Sequence, residues 1–346
     1  MALSIDIKKK YNDFLLDISF ESSSNRIGIL GASGCGKSLT LKAIAGLIKP
    51  DSGRIVFDNR LLFDADGRIC IKPQDRHIGY LFQEYALFPN MTVEENVSVA
   101  FKGSKHKDSP GQIENTLKQF GLWEIRGHYP HELSGGQKQR TALARMMACD
   151  PGLLLLDEPF SALDTFLREG MRLELIRLLN MYNKTVILVS HDRDEIYQMC
   201  NYLVIMGKGR VIDHGRTDEL FERPKTPVGA KLTGCKNISR IQRLSDHRIR
   251  ALDWNGLELV TDEKVPEYIT HAGIRAHDFI PGDKGINAVP TGQAMISRLP
   301  FEWYVTMENG LWWKLPRGLD MKYTSDMVPQ YVSVPPEKII LLKEEA

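Results

Sequence analysis

The feature that most constrains the fold is a glycine-rich octet that joins an apolar strand to a helix. It reads Gly31-Ala32-Ser33-Gly34-Cys35-Gly36-Lys37-Ser38 and fits the pattern G-x-x-x-x-G-K-[ST]. Residues 26–30 before it are mostly apolar, as in a buried strand, and apolar residues recur at helical spacing over 37–48. Strands and helices continue to alternate after residue 150, which predicts a parallel sheet flanked by helices.

The octet has the chemistry of a phosphate site. Its glycines let the backbone wrap around a triphosphate with N–H groups pointing inward, at the positive end of the following helix. Lys37 is placed to reach the β and γ phosphates, and the Ser38 hydroxyl is placed to ligate Mg²⁺. We therefore expect residues 31–38 to bind a nucleoside triphosphate together with Mg²⁺.

Four consecutive leucines, residues 153–156, predict a fully buried strand that ends in two carboxylates. A carboxylate at such a strand end emerges where a nucleotide binds to a sheet of this kind. We expect Asp157 to hold the Mg²⁺ shell and Glu158 to orient and polarise the attacking water, a positioning role typical of phosphoryl transfer. The alternative for both residues is a pair of solvated acids that cap a strand.

A second anion site is predicted where Leu133 is followed by Ser134, Gly135, Gly136 and Gln137 at the start of a helix. Small residues with free N–H groups at a helix N-terminus favour bound anions. One chain has no need of two anion sites for one γ-phosphate unless the second site serves a neighbouring molecule.

Together, the octet, the Asp-Glu strand end and the Leu-Ser-Gly-Gly-Gln sequence resemble the ATP-binding cassette (ABC) superfamily. The resemblance covers residues 1 to about 225 and implies ATP and Mg²⁺ as ligands. Gln83 matches the glutamine loop, which touches Mg²⁺ and water and links to a membrane partner. His191 matches the switch histidine, which contacts the γ-phosphate. Without the family, both would be interpreted as ordinary polar residues.

The resemblance further implies a homodimer in which each ATP lies between residues 31–38 of one chain and the second anion site of the other. The residues implied to act in trans are Ser134, Gly135, Gly136, Gln137 and, from the D-loop, Asp164. In this family an aromatic residue upstream of the octet stacks on adenine, which makes Tyr11 the candidate and Phe14 its rival.

The expected fold is an α/β P-loop NTPase with a RecA-like core, an antiparallel β subdomain and a helical subdomain at about residues 90–150. We place this ATP-binding domain at residues 1–229, because proline and glycine cluster between 223 and 235. Residues 230–346 carry four of the five tryptophans among short apolar runs and predict an all-β domain. Family resemblance implies that this domain is OB-like and regulatory.

Composition limits the other partners. A formal net charge of +1 argues against nucleic acid or an anionic bilayer. No run approaches the roughly 18 apolar residues of a spanning helix, so we expect a cytoplasmic chain held at the inner membrane face by separate permease subunits. The five cysteines show no metal-ligand spacing and fit a reducing compartment. The alternative class is a soluble ATP-driven regulator or repair protein.

The cargo expectation rests on resemblance alone. Residues 273–279 are similar to a segment in the regulatory domains of importer ATPases for oxyanions, sugars and polyamines. Residues 81–97 and 232–239, with Arg-Ala-His at 275–277, most resemble the molybdate and sulfate branch. They imply molybdate (with tungstate), delivered by an extracellular solute-binding protein, with sulfate, thiosulfate or another small solute as the alternative. Four side chains are candidate oxyanion contacts or else ordinary solvated residues: Lys236, Ser239, Arg240 and Arg275.

Overall fold

The computed structural model describes residues 3–101, 110–161, 165–182, 184–282, 285–316 and 328–344. Contacts within the chain divide it into two compact units, Met1–Thr217 and Asp218–Ala346. Each unit has its own hydrophobic core. By this division, residues 218–229 belong to the C-terminal unit, whereas the sequence places the boundary after residue 229.

In the described residues, the N-terminal unit is built on one eleven-stranded sheet in the order β6-β5-β4-β1-β2-β11-β10-β3-β9-β8-β7. Its strands are β1 Leu3–Tyr11, β2 Phe14–Ser22, β3 Arg26–Gly31, β4 Ser52–Phe57, β5 Arg60–Asp64, β6 Ile69–Cys70, β7 Ile78–Leu81, β8 Leu153–Asp157, β9 Thr185–Ser190, β10 Tyr202–Gly207 and β11 Arg210–Arg216. Its helices are α1 Lys37–Ala45, α2 Val93–Phe101, α3 Pro110–Gln119, α4 Gly135–Ala148, α5 Thr165–Met181 and α6 Arg193–Met199.

The sheet combines two kinds of pairing. Strands β10, β3, β9, β8 and β7 run parallel to one another, and this is the part that brings the strand ends of the site together. Strands β1, β2, β4, β5 and β6 pair in antiparallel fashion. The fold therefore contains both the parallel core and the antiparallel β subdomain that the sequence predicts.

Burial explains why the residues of β8 are continuously apolar, whereas those of β1 alternate between apolar and polar. All four leucines of β8 are fully buried, since both faces of a parallel strand are covered. In β1 the apolar residues alternate with exposed ones, because only one face packs on the core. Helix α1 ends at Ala45 rather than at the predicted residue 48, because Gly46 adopts a left-handed conformation with φ +79° and caps the helix.

The helical stretch expected at about residues 90–150 is present. Helix α2 packs against α3 and α4, and α4 also contacts β7. Apolar residues on one face of α2 are buried, among them Val93, Val97 and Phe101. The buried side chain of Asn96 ties this helix to the loop before it, since its amide donates to the carbonyls of Phe88 and Met91.

The C-terminal unit is β-rich after two short helices, α7 Thr217–Glu222 and α8 Pro227–Leu232. Its described strands form a five-stranded sheet (β14-β13-β12-β15-β22) and two three-stranded sheets (β16-β21-β17 and β18-β19-β20). They are β12 Asn237–Ser245, β13 Arg248–Ala251, β14 Leu257–Val260, β15 Ile269–Ile274, β16 Ile280–Gly282, β17 Ala288–Pro290, β18 Met295–Arg298, β19 Glu302–Thr306, β20 Trp312–Pro316, β21 Tyr331–Ser333 and β22 Ile340–Lys343. This agrees with the predicted β domain, and its OB-like character stays a prediction.

Among the described helices, none combines the length and the apolar character needed to cross a bilayer.

Candidate nucleotide-binding site

The glycine-rich octet leaves the end of β3 and enters α1, as its sequence predicts. Gly34 and Gly36 have φ values of +77° and +104°, which side chains other than glycine rarely adopt. A Cβ atom on Gly31 would lie 2.6 Å from the Cys35 sulfur and from the Met206 carbonyl oxygen. The octet is therefore a tight loop that only glycines at these positions permit.

Lys37 begins α1 and its ammonium group turns back over the octet. Its side chain is 5% exposed, and Nζ donates to the carbonyl oxygens of Gly31 at 2.9 Å and Ala32 at 3.1 Å. It also lies 3.8 Å from Glu158 Oε1. A buried positive charge thus stands at the mouth of the loop, compensated by backbone dipoles and by one carboxylate.

Asp157, at the end of β8, accepts two hydroxyl hydrogen bonds. Ser38 Oγ donates to Oδ1 at 2.8 Å, and Tyr80 Oη donates to Oδ2 at 2.8 Å. The structure therefore brings two of the three predicted Mg²⁺ ligands, Ser38 and Asp157, into direct contact. Burial, and then the Asp157 charge, raise the pKa of Tyr80, so its phenol remains a donor.

Glu158 follows Asp157 in a left-handed conformation with φ +47°. Glutamate seldom adopts this region, and such conformations concentrate at functional sites. Its N–H donates to the Val189 carbonyl at 3.0 Å, and His191 Nδ1 lies 3.3 Å from its Oε2. Glu158 is thus held between Lys37 and His191, where it can orient a water molecule beside a bound γ-phosphate.

The His191 loop is fixed by its neighbours. Ser190 Oγ donates to Glu195 Oε2 at 2.5 Å and accepts a hydrogen bond from the Asp192 N–H at 2.9 Å. Asp192 in turn caps α6, because its carboxylate accepts from the backbone N–H of Asp194 at 2.8 Å. These contacts hold the loop while the His191 side chain remains exposed toward solvent.

Sequence reasoning missed Tyr80 and the pair Ser190–Glu195. The signal for Tyr80 was its position three residues before Gln83, on a strand now seen to pair with β8. The signal for the pair was a hydroxyl directly before the switch histidine with a carboxylate five residues later.

Among the described residues, the glutamine loop and the second anion site make no hydrogen bond or ion pair to this cluster. Gln83 is exposed just after β7, and in the described part of the chain no hydrogen bond links it to Asp157 or Glu158. Ser134 caps α4: its Oγ accepts from the Gln137 N–H at 3.3 Å, and Gln137 Oε1 accepts from the Ser134 N–H at 2.8 Å. Gly135 and Gly136 open that helix. Asp164 lies outside the described residues.

Of the two aromatic candidates for adenine stacking, Phe14 is engaged with the core. A Cβ atom added to Gly36 or to Gly209 would lie 3.2 Å from the Phe14 ring, which packs against the N-terminal core. Tyr11 pairs with Phe14 across the β1–β2 turn and is partly exposed. The Lys9 ammonium lies 5.6 Å from the Tyr11 ring centroid. This arrangement favours Tyr11 as the residue that stacks on adenine, which remains a prediction.

The donor set fits Mg²⁺-ATP. Hydroxyl and carboxylate oxygens are the protein ligands that Mg²⁺ prefers, and Ser38 and Asp157 already meet within 2.8 Å. The glycine loop provides space for phosphates where side chains would clash, and Lys37 provides the compensating charge. A triphosphate in the loop would take over the interaction that Lys37 now makes with Glu158.

In the C-terminal unit the four candidate oxyanion contacts have partners within the fold. The Arg275 guanidinium donates to the Thr233 carbonyl at 2.9 Å and also to the Phe221 carbonyl. Arg240 pairs with Asp253 at 2.7 Å and holds the pKa of that carboxyl down at about 2. Lys236 lies 4.5 Å from the Tyr304 ring centroid and 4.6 Å from that of Trp312, and Ser239 is buried. Their present roles are structural.

Comparison with known proteins agrees with this geometry. Residues 15–161 match the family model described as ABC transporter. The chain is 35% identical over 306 residues to the sulfate/thiosulfate import ATP-binding protein CysA of Nitrosomonas europaea, covering 84% of this chain and 80% of that protein. It is 39% identical over 234 residues to the Fe(3+) ions import ATP-binding protein FbpC of Haemophilus influenzae, covering 66% of each.

A solved dimeric structure of an ATP-binding cassette with ADP and Pi bound superposes with a TM-score of 0.53 at 28% identity, covering 63% of this chain and 99% of that one. The fold and the site thus define a P-loop NTPase. The chain belongs to the ABC transporter family, as an ATP-binding protein that couples ATP hydrolysis to transport.

Proposed function

We propose that this chain is the ATP-hydrolysing subunit of an ABC importer that takes up a small oxyanion. The observation that carries the ATPase assignment is the cluster of Lys37, Ser38, Asp157, Glu158 and His191, joined by hydrogen bonds and ion pairs at one edge of the parallel sheet. The importer assignment is supported by the names of similar proteins, which energise uptake of sulfate or thiosulfate and of Fe(3+).

Each residue of the cluster has a role that follows from its position. The octet and Lys37 hold the phosphates, while Ser38 and Asp157 hold Mg²⁺, which neutralises phosphate charge when bound. Glu158 orients and polarises the attacking water, and His191 contacts the γ-phosphate from the neighbouring strand end. Tyr11 stacks on adenine, and Gln83 links the metal site to the membrane partner.

Two copies act together in this proposal. The second anion site at Ser134–Gln137 has no hydrogen bond or ion pair to residues 31–38 among the described contacts of its own chain. At this capped helix start Ser134 is exposed and Gly135 partly exposed, which suits a phosphate bound to another copy. The γ-phosphate then becomes a ligand shared by both chains, so ATP binding favours the closed dimer and hydrolysis releases it. The family resemblance assigns a role in trans to Asp164 as well, which lies outside the described residues.

The loop after Gln83 is proposed to contact the permease. Phe88 is 44% exposed, and the Arg145 guanidinium lies 5.1 Å from its ring centroid. Arg145 also donates to the Tyr85 carbonyl at 3.1 Å, which ties this loop to α4 and therefore to the second anion site. A permease helix placed against Phe88 would sense movement of α4.

Two kinds of oxyanion are candidates for the cargo of this importer. The segments at residues 81–97, 232–239 and 275–277 favour molybdate with tungstate, whereas similar proteins are named for sulfate or thiosulfate. Cells lacking this chain would be complemented with the wild type or with Glu158→Gln and grown with limiting oxyanions. We expect elemental mass spectrometry to show that either molybdenum (with tungsten) or sulfur uptake falls, and that only the wild type restores it.

Other results of that measurement would change the proposal. A loss of iron uptake alone would exclude an oxyanion cargo while leaving the importer assignment intact. If uptake of every element is unchanged and no permease co-purifies with the chain, the importer assignment fails in favour of a soluble ATP-driven regulator or repair protein.

A further inference from the structure

Both oxygens of the Asp157 carboxylate are occupied by hydroxyl groups from different elements. Ser38, from α1, donates to Oδ1, and Tyr80, from β7, donates to Oδ2, each at 2.8 Å. Asp157 is 6% exposed, so water does not compete effectively for these positions. Its orientation is therefore set by two hydrogen bonds, only one of which comes from a predicted metal ligand.

The Tyr80 bond follows from the sheet. Strands β7 and β8 are parallel neighbours, and Tyr80 pairs with Leu155, two residues before Asp157 and on the same face of β8. The Tyr80 ring contacts the Phe82 ring, with centroids 4.4 Å apart and planes tilted by 39°. Strand register and ring packing thus hold the phenol in place, three residues before Gln83.

We propose that Tyr80 is a positioning residue of the Mg²⁺ site, which holds the Asp157 carboxylate in the orientation needed to bind the metal with its nucleotide. The inference rests on the proposed assignment of Asp157 to Mg²⁺. Hydrogen-bond partners that orient a metal-ligating carboxylate raise the metal affinity of the site by about tenfold or more. Because Tyr80 donates to Oδ2, Oδ1 remains the oxygen that faces Ser38.

The test compares Tyr80→Phe with the wild type by calorimetric titration with the non-hydrolysable ATP analogue AMPPNP, in excess EDTA and in Mg²⁺. The substitution keeps the ring and its contact with Phe82 but removes the donor. We expect unchanged affinity in EDTA, and an enhancement by Mg²⁺ about tenfold smaller than in the wild type. In hydrolysis assays, raising Mg²⁺ at saturating ATP should restore the rate of the variant.

Tyr202→Phe is the matched control. Its hydroxyl also makes hydrogen bonds, donating to the Glu21 carbonyl at 2.9 Å and contacting His214 at 2.7 Å. Tyr202 pairs with Ile27 at the start of β3, whereas the octet begins at the other end of that strand. Both titrations of this variant should match the wild type.

Three results would overturn the inference. The first is an undiminished Mg²⁺ enhancement in Tyr80→Phe. The second is an equal loss of affinity in EDTA and in Mg²⁺, which would mean that the phenol supports the fold rather than the metal site. The third, no Mg²⁺ enhancement in the wild type itself, would also remove Asp157 from the metal site, and so separates a failure of the proposed site from a failure of Tyr80.

Discussion

At the scale of single residues, Glu158 combines a strained backbone with contacts to a lysine and a histidine. Its left-handed conformation and its contacts with Lys37 and His191 hold the carboxylate beside the phosphate loop, where we propose that it orients the attacking water. Two solvated acids that only capped a strand would need neither the left-handed backbone nor the contacts with Lys37 and His191. This arrangement supports a role in water activation.

Glu158→Gln keeps the side-chain shape and removes the charge. Because positioned proton acceptors contribute about a hundredfold or more, we expect kcat for ATP hydrolysis to fall by about that factor while ATP affinity is retained. A phosphate-release assay combined with nucleotide titration measures both. Glu169→Gln, on an exposed part of α5, is the control and should hydrolyse ATP at the wild-type rate. Hydrolysis by Glu158→Gln at the normal rate would contradict the assigned role.

Glu195 gives a prediction of pH dependence. Burial raises the pKa of its carboxyl above the ordinary value of 4.5, against the opposing effects of Ser190 and Arg168. The folded state then binds more protons than the unfolded state between the two pKa values, so stability falls as the pH rises through that window. Glu195→Gln removes this fall. Urea unfolding should show the variant gaining stability relative to the wild type as the pH rises above 4.5. A difference that does not change with pH would contradict this expectation.

A site residue can be predicted from the sequence when the residues next to it in the chain form a recognisable pattern. Lys37, Ser38 and Asp157 were predictable, because the octet and the leucine strand each carry a signal within a few neighbouring residues. Tyr80 was not, because its role depends on β7 lying beside β8, and strand order is a tertiary property. The left-handed conformation of Glu158 is likewise imposed by its surroundings rather than by residue preference.

At the scale of elements, the C-terminus of α1 is held by one buried arginine. Arg76 is 2% exposed and donates to the carbonyl oxygens of Ala43 at 3.0 Å, Ile44 at 2.6 Å and Ile71 at 2.8 Å. A Cβ atom on Gly46 would lie 2.6 Å from its Nε, so the helix end and the arginine fit only with glycine there. Since α1 carries Lys37 and Ser38 at its other end, this contact also steadies the phosphate site.

We therefore expect Arg76→Ala to lower the free energy of unfolding of the N-terminal unit by about 3 kcal/mol, because three helix-end and loop carbonyls lose their buried donor. Denaturant unfolding followed by circular dichroism measures the change. Arg60→Ala is the control, since Arg60 is exposed and donates to the Asp75 carbonyl at the surface. That change should cost about 0.5 kcal/mol or less. Equal effects of the two substitutions would refute the special role of Arg76.

Element types were predictable from periodicity, while their ends and partners were less so. The hairpin of β4 and β5 turns at Asp58 and Asn59, since both adopt positive φ values that these residue types tolerate. The predicted extent of α1 was too long, because apolar spacing continues past the glycine that ends the helix. The assignment of residues 218–229 depends on tertiary contacts, which composition does not reveal.

At the scale of the whole molecule, two surfaces that are proposed to bind one nucleotide share no hydrogen bond or ion pair among the described residues. In this proposal, residues 31–38, Asp157 and Glu158 form one half of the site, and the capped start of α4 at Ser134 forms the other. The central claim is that two copies complete both sites around ATP. The claim explains why a single chain has two anion-binding surfaces, and it agrees with the dimeric solved structure to which the fold is similar.

The most direct test is the mass of Glu158→Gln in solution, measured by light scattering with and without Mg²⁺-ATP. We predict 39.3 kDa without nucleotide and twice that mass with it, because the uncleaved γ-phosphate remains shared between two chains. Ser134→Arg in the same background should bind ATP yet stay at the mass of one chain, since the large side chain fills the second anion site. A mass that stays at 39.3 kDa in Glu158→Gln at saturating Mg²⁺-ATP would contradict the account.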